Sequence, residues 1–139
     1  MKIIKETTPY YDDNLKGVYT MKSGESIQFA APDCWGNELD ETLTKGELYE
    51  KGLEMNPCCG PVLVEGAEPG DTVKIVVENI EVDQAGHLAI YRPEFGVLAS
   101  FLEKDETVTV PVKNYKAMLH GKFEIPVRPM LGVLAVTPP

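Results

Sequence analysis

The chain has 139 residues, 43% of them hydrophobic, with a formal net charge of −9. That apolar fraction supports a packed core rather than disorder, and a chain of this length reads as one domain spanning 1–139. The acidic balance excludes a nucleic-acid partner, which needs clustered Lys and Arg, and suits anionic membranes no better.

At the N-terminus, Met1-Lys2-Ile3-Ile4-Lys5-Glu6 lacks the apolar core and cleavage site of a signal peptide. No apolar run nears the roughly 20 residues that span a bilayer. Three cysteines, two of them adjacent at Cys58 and Cys59, make no disulfide framework and no zinc spacing. A reducing cytoplasm is the expected location.

Short apolar runs punctuated by eleven prolines and twelve glycines predict an all-β domain. Strands are predicted at Lys2–Lys5, Gly17–Met21, Ser26–Ala30, Pro61–Glu65, Asp71–Val82, Leu88–Tyr91, Thr107–Pro111, Lys116–Leu119, Lys122–Ile125 and Met130–Val136. A single short helix fits around Glu41–Gly52. The apolar phase of Asp71–Val82 shifts between Val77 and Ile80, which a β-bulge near Glu78-Asn79 would produce. Pairing this many short strands predicts a two-sheet β-sandwich or jelly roll.

Two places invite chemistry. Asp33 follows Ala30-Ala31-Pro32 at a strand end, where side chains can converge; its carboxylate could activate water as a general base or bind a metal through oxygen. Asn37, beyond Gly36, could orient an amide through its NH₂ group. The same pattern also describes an ordinary Asx-turn, with the Asp33 side chain accepting a local backbone N–H. Glu65 ends the run Val62-Leu63-Val64, where partial burial would suit it to proton transfer; a surface carboxylate before a turn is the plainer reading. Pro69-Gly70 fits a type II turn, with Asp71 holding it and Glu68 solvated.

Cys34, Cys58 and Cys59 could serve as nucleophiles only beside a histidine, and neither His87 nor His120 lies at a suggestive spacing. Inert thiols and exposed turn histidines are expected. Trp35, Tyr91 and Phe95 could wall a small pocket, though aromatics more often pack a core.

The segment Asn56-Pro57-Cys58-Cys59-Gly60-Pro61-Val62-Leu63-Val64-Glu65-Gly66-Ala67-Glu68-Pro69-Gly70-Asp71 resembles the segment that marks the acetamidase/formamidase family. Asp33-Cys34-Trp35-Gly36-Asn37, Pro93-Glu94-Phe95-Gly96-Val97-Leu98 and Arg128-Pro129-Met130-Leu131-Gly132-Val133-Leu134-Ala135-Val136 are similar to further elements of that family, in the family's order. The resemblance covers the family's first half; a second half of similar size has no counterpart in the sequence.

It implies a β-sandwich hydrolase that cleaves the C–N bond of small linear amides and releases ammonia. Asp33 would activate water or bind a divalent metal (Zn or Ca), Asn37 would position the substrate, and Glu65 would transfer a proton. Trp35 and Phe95 would contact the amide. The missing half would come from copies of the chain in a homo-oligomer or from a partner chain. The alternative is a non-catalytic β-sandwich that binds a ligand or serves assembly.

Overall fold

The computed structural model of the protein describes residues 1–90, 97–101 and 103–137. Ten strands occur among the described residues: β1 Lys2–Ile4, β2 Thr7–Thr8, β3 Tyr19–Met21, β4 Ile27–Phe29, β5 Cys58–Cys59, β6 Val62–Val64, β7 Ala85–Ile90, β8 Glu106–Lys113, β9 Lys116–Leu119 and β10 Phe123–Pro126. With them come one α-helix, α1 Lys45–Glu50, and a single 3₁₀ turn at Ala99–Phe101. The chain is therefore mostly strand, in several small sheets with no closed barrel among the described residues. It divides into two compact units interleaved in sequence.

The first unit comprises Met1–Gly36, Glu54–Val77 and Leu131–Pro139. Here β1 pairs in parallel with β4, β3 in parallel with β6, and β2 antiparallel with β5. Ile4 is fully buried while Ile3, its neighbour, is exposed, the two-residue alternation of a strand with one covered face. The Ile4 carbonyl also accepts the Ala30 N–H at 2.9 Å, carrying the β1–β4 pairing to the edge of the Asp33 segment. The expected type II turn forms: the Asp71 N–H donates to the Glu68 carbonyl at 3.0 Å, and Gly70 takes a φ of 100° that side chains resist. Asp71 Oδ2 accepts the Glu68 N–H at 2.9 Å, so its carboxylate holds the turn, while Glu68 is exposed.

The second unit comprises Asn37–Leu53 and Glu78–Met130. Its four-stranded antiparallel sheet runs in the order β10-β9-β8-β7. Pro111 lies within β8 where the strand leaves β7 and turns to β9, and Val112 N–H closes the junction on the Gln84 carbonyl at 2.6 Å. Helix α1 is shorter than expected but strongly capped. The Glu47 N–H donates to Thr44 Oγ1 at 3.3 Å, and the Thr44 N–H donates to Glu47 Oε2 at 2.7 Å, a reciprocal capping box. Leu39, Leu48 and Val110 are this unit's buried side chains among the described residues. Thr107 Oγ1 donates to the Leu43 carbonyl at 2.8 Å, fastening β8 to the segment that leads into the helix.

Two predicted strands do not form. Residues 71–83 and 131–137 enter no strand pairing among the described residues, so the expected β-bulge at Glu78-Asn79 is also absent. Both runs are rich in β-branched and apolar residues, yet a strand exists only where a second strand takes up its backbone groups. His87 is corrected as well: it lies in β7 opposite Thr109 and is half-buried, whereas His120 sits at an exposed turn as expected.

Candidate functional site

The candidate site is built on the segment that follows β4. Asp33 Oδ1 accepts the Trp35 N–H at 2.9 Å, and the Asp33 carbonyl accepts the Gly36 N–H at 3.0 Å. The Asx-turn expected from Asp-x-x-Gly is thus present, and it sets the direction of the carboxylate. Gly36 and Asn37 then take successive left-handed conformations, φ 67° and 62°, which reverse the chain; asparagine tolerates that region better than most residues.

A second strand of chain braces this turn. The Asn56 N–H donates to the Cys34 carbonyl at 2.8 Å, and the Cys59 thiol donates to the Ala30 carbonyl at 3.4 Å. Cys59 is held in turn by β5 pairing with β2, and the Gly60 N–H donates to the Glu6 carbonyl at 2.9 Å. The Asn56–Gly60 stretch therefore lies between β2 and the Asp33 turn, bonded to both. The local sequence carries no signal for this bracing, because a two-residue strand of cysteines shows no alternation.

The thiols are poorly suited to nucleophilic attack. Burial, reinforced by the neighbouring Cys58 and Glu6, raises the Cys59 thiol above its ordinary value, which keeps it protonated at neutral pH. Cys58 Sγ lies 3.2 Å from Tyr11 Oη. That hydrogen bond, with burial second, pushes the Tyr11 phenol up to about 12. Cys34, Cys58 and Cys59 are thiols outside any disulfide, each half-buried.

Trp35 is half-buried, and its indole Nε1 is buried with no hydrogen-bond partner among the described residues. A buried donor left unpaired costs about 1–3 kcal/mol, so this atom is one that an acceptor would relieve. Glu65 follows β6, its N–H donating to the Met21 carbonyl at 2.8 Å, and its side chain is exposed. The partial burial expected for it is not supplied by this chain.

Asp33, Trp35 and Glu65 belong to the first unit; Asn37 is exposed and opens the second. Tyr91 and Phe95, with most of the Pro93–Leu98 motif, lie outside the described residues. Among the described residues no three His, Cys, Asp or Glu side chains group as metal ligands. Asp33 is thus a single prospective ligand, which does not fit a zinc or calcium site built by these residues alone. No helix among the described residues is long and apolar enough to cross a membrane.

No protein-family model matches the chain, and no curated protein sequence matches it significantly. Solved structures do. An acetamidase from Bacillus halodurans superposes with a TM-score of 0.85 at 25% identity, over 98% of this chain and 46% of that one. A predicted acetamidase/formamidase from the thermophile Thermoanaerobacter tengcongensis gives a TM-score of 0.82 at 28% identity, over 99% of this chain and 46% of the other. The chain spans somewhat less than half the length of each protein it matches. By structure it is related to the acetamidase/formamidase family and builds roughly half of that family's fold.

Proposed function

We propose that the protein is an amide hydrolase that cleaves the C–N bond of small linear amides, with water as co-substrate and ammonia as product. The observation that carries this reading is the likeness of nearly the whole chain to an acetamidase and an acetamidase/formamidase. The Asp33 turn supports it with a carboxylate held by the Trp35 backbone N–H, and Trp35 brings an indole N–H with no hydrogen-bond partner among the described residues.

In this reading Asp33 takes a proton from water as the water oxygen bonds to the amide carbon. Trp35 Nε1 is the donor for the carbonyl oxygen as negative charge gathers there. Glu65 delivers the proton that lets the amine leave. Glu65 is exposed in this chain, so its role calls for further polypeptide over it to exclude water. If the assembled enzyme uses a divalent ion, Asp33 is the oxygen ligand this chain would contribute. No step above depends on one.

Ammonia release from formamide and acetamide by the protein tests the proposal. Turnover supports it. A folded protein that binds these amides without turnover would favour the non-catalytic binding module instead.

A further inference from the structure

A carboxylate works as a general base only while it stays within hydrogen-bond reach of one point, so whatever fixes the Asp33 turn in place bears on the chemistry. The bonds from the Trp35 N–H to Asp33 Oδ1, 2.9 Å, and from the Gly36 N–H to the Asp33 carbonyl, 3.0 Å, lie inside the turn. They set its shape. Its place in the first unit depends on contacts that leave the turn.

Two carbonyls flanking Asp33 make such contacts. Ala30 is held through both of its peptide groups: its N–H donates to the Ile4 carbonyl at 2.9 Å, and its carbonyl accepts the Cys59 thiol at 3.4 Å. Between Ala30 and Asp33, Pro32 has no N–H with which to hold the chain. The Cys34 carbonyl, just past Asp33, accepts the Asn56 N–H at 2.8 Å. Both donors belong to one short stretch, residues 56–59.

That stretch is itself anchored elsewhere in the first unit. Strand β5 pairs with β2, Cys59 opposite Thr7 and Cys58 opposite Thr8, and the Gly60 N–H donates to the Glu6 carbonyl at 2.9 Å. Tyr10 Oη donates to Glu54 Oε1, and Cys58 Sγ lies 3.2 Å from Tyr11 Oη. Successive side chains of a strand point to opposite faces, so Cys58 meets Tyr11 while Cys59 meets Ala30. Burial keeps the Cys59 thiol protonated at neutral pH, and the protonated thiol is the form that donates.

We infer that Cys59 is a positioning residue for the Asp33 carboxylate: its thiol fixes the chain before the turn as the Asn56 N–H fixes the chain after Asp33. The catalytic consequence rests on the proposed role of Asp33; the hold on the turn does not. A thiol unsuited to attack thus acts on the reaction through the place of the base.

Cys59→Ala and Cys59→Ser in the protein test this. Serine keeps a side-chain donor, and alanine removes it. Amide hydrogen exchange is read by nuclear magnetic resonance at Trp35 and Gly36, whose N–H groups close the turn. The control is Glu65, whose N–H donates to the Met21 carbonyl at 2.8 Å. In Cys59→Ala, exchange at Trp35 and Gly36 should rise roughly tenfold with Glu65 unchanged, and Cys59→Ser should stay close to the native rate. Emission from the only tryptophan should shift in Cys59→Ala and not in Cys59→Ser. With acetamide, Cys59→Ala should lower kcat by about 10-fold to 100-fold at an unchanged KM, and Cys59→Ser should restore it. Native exchange at Trp35 and Gly36 in Cys59→Ala, equal acceleration at Glu65, fast exchange in Cys59→Ser, or a native kcat in Cys59→Ala would each overturn the inference. Absence of turnover in the native protein would count against the hydrolase reading instead, and the exchange rates would still decide whether Cys59 holds the turn.

Discussion

Asp33 Oδ1 accepts the backbone N–H of Trp35 at 2.9 Å, so the carboxylate proposed to activate water also fixes the turn that carries the only tryptophan. The two readings of Asp-x-x-Gly are therefore not rivals. One oxygen organises the turn, and that turn aims the charge. A substitution that removes the whole side chain would disturb both, whereas asparagine keeps an acceptor for the Trp35 N–H and removes only the charge.

Gly17 and Leu63 make a second contact that sequence does not reveal. A Cβ at Gly17 would come within 2.8 Å of Leu63 Cδ1 and closer still to Cγ, because β3 and β6 run side by side there. Gly17→Ala should cost about 1–3 kcal/mol by overpacking. Leu63→Ala should relieve part of that loss, with a coupling on the order of 1 kcal/mol in a double-mutant cycle. Urea unfolding of the four proteins measures it, and simple additivity would refute the contact.

The capping box makes stability depend on pH. Hydrogen bonds from the Thr44 N–H and then its hydroxyl hold the Glu47 carboxyl below its ordinary value. A carboxyl lowered in the folded state binds fewer protons there than in the unfolded chain. Its stabilisation is therefore present above the unfolded value of about 4.3 and is lost as pH falls through the lower folded value. Thermal unfolding followed from about pH 5 downward should fall less steeply for Glu47→Gln than for the native chain. An unchanged slope would contradict the assignment.

Cys59 should resist alkylation near neutral pH. Its raised value, due first to burial, moves the onset of thiolate reactivity above the ordinary cysteine range near about 8.5. Iodoacetamide labelling across pH, read by peptide mass spectrometry, should show Cys59 reacting late. Rapid labelling at neutral pH would reopen a nucleophilic role.

Much of the fold was legible. Ser26–Ala30 contains β4, Gly17–Met21 contains β3, and Lys116–Leu119 matches β9, because each shows apolar residues bounded by turn chemistry. The short helix was legible too, and Thr44 with Glu47 now explains why a glycine-containing stretch forms one. What escaped the sequence was set by partners rather than by local pattern. Strands β2 and β5 have two residues each and exist only because Thr7 and Thr8 meet Cys59 and Cys58. Asp71–Val82 and Met130–Val136 have the right residues for strands but pair with no strand among the described residues. At the site, the Asp33 turn could be read directly from Asp, Gly and Asn, whereas the burial of Trp35 Nε1 without a partner among the described residues and the Asn56–Cys34 bond could not, since both depend on chain distant in sequence.

The most direct test of the central claim compares ammonia release from acetamide by the protein with its native Asp33 and by Asp33→Asn. Circular dichroism and unfolding serve as the control for the fold. The account predicts unchanged stability with a fall in kcat on the order of 10²–10⁴-fold, the usual cost of losing a general base. Turnover retained in Asp33→Asn would contradict it and move the chemistry away from the Asp33 turn.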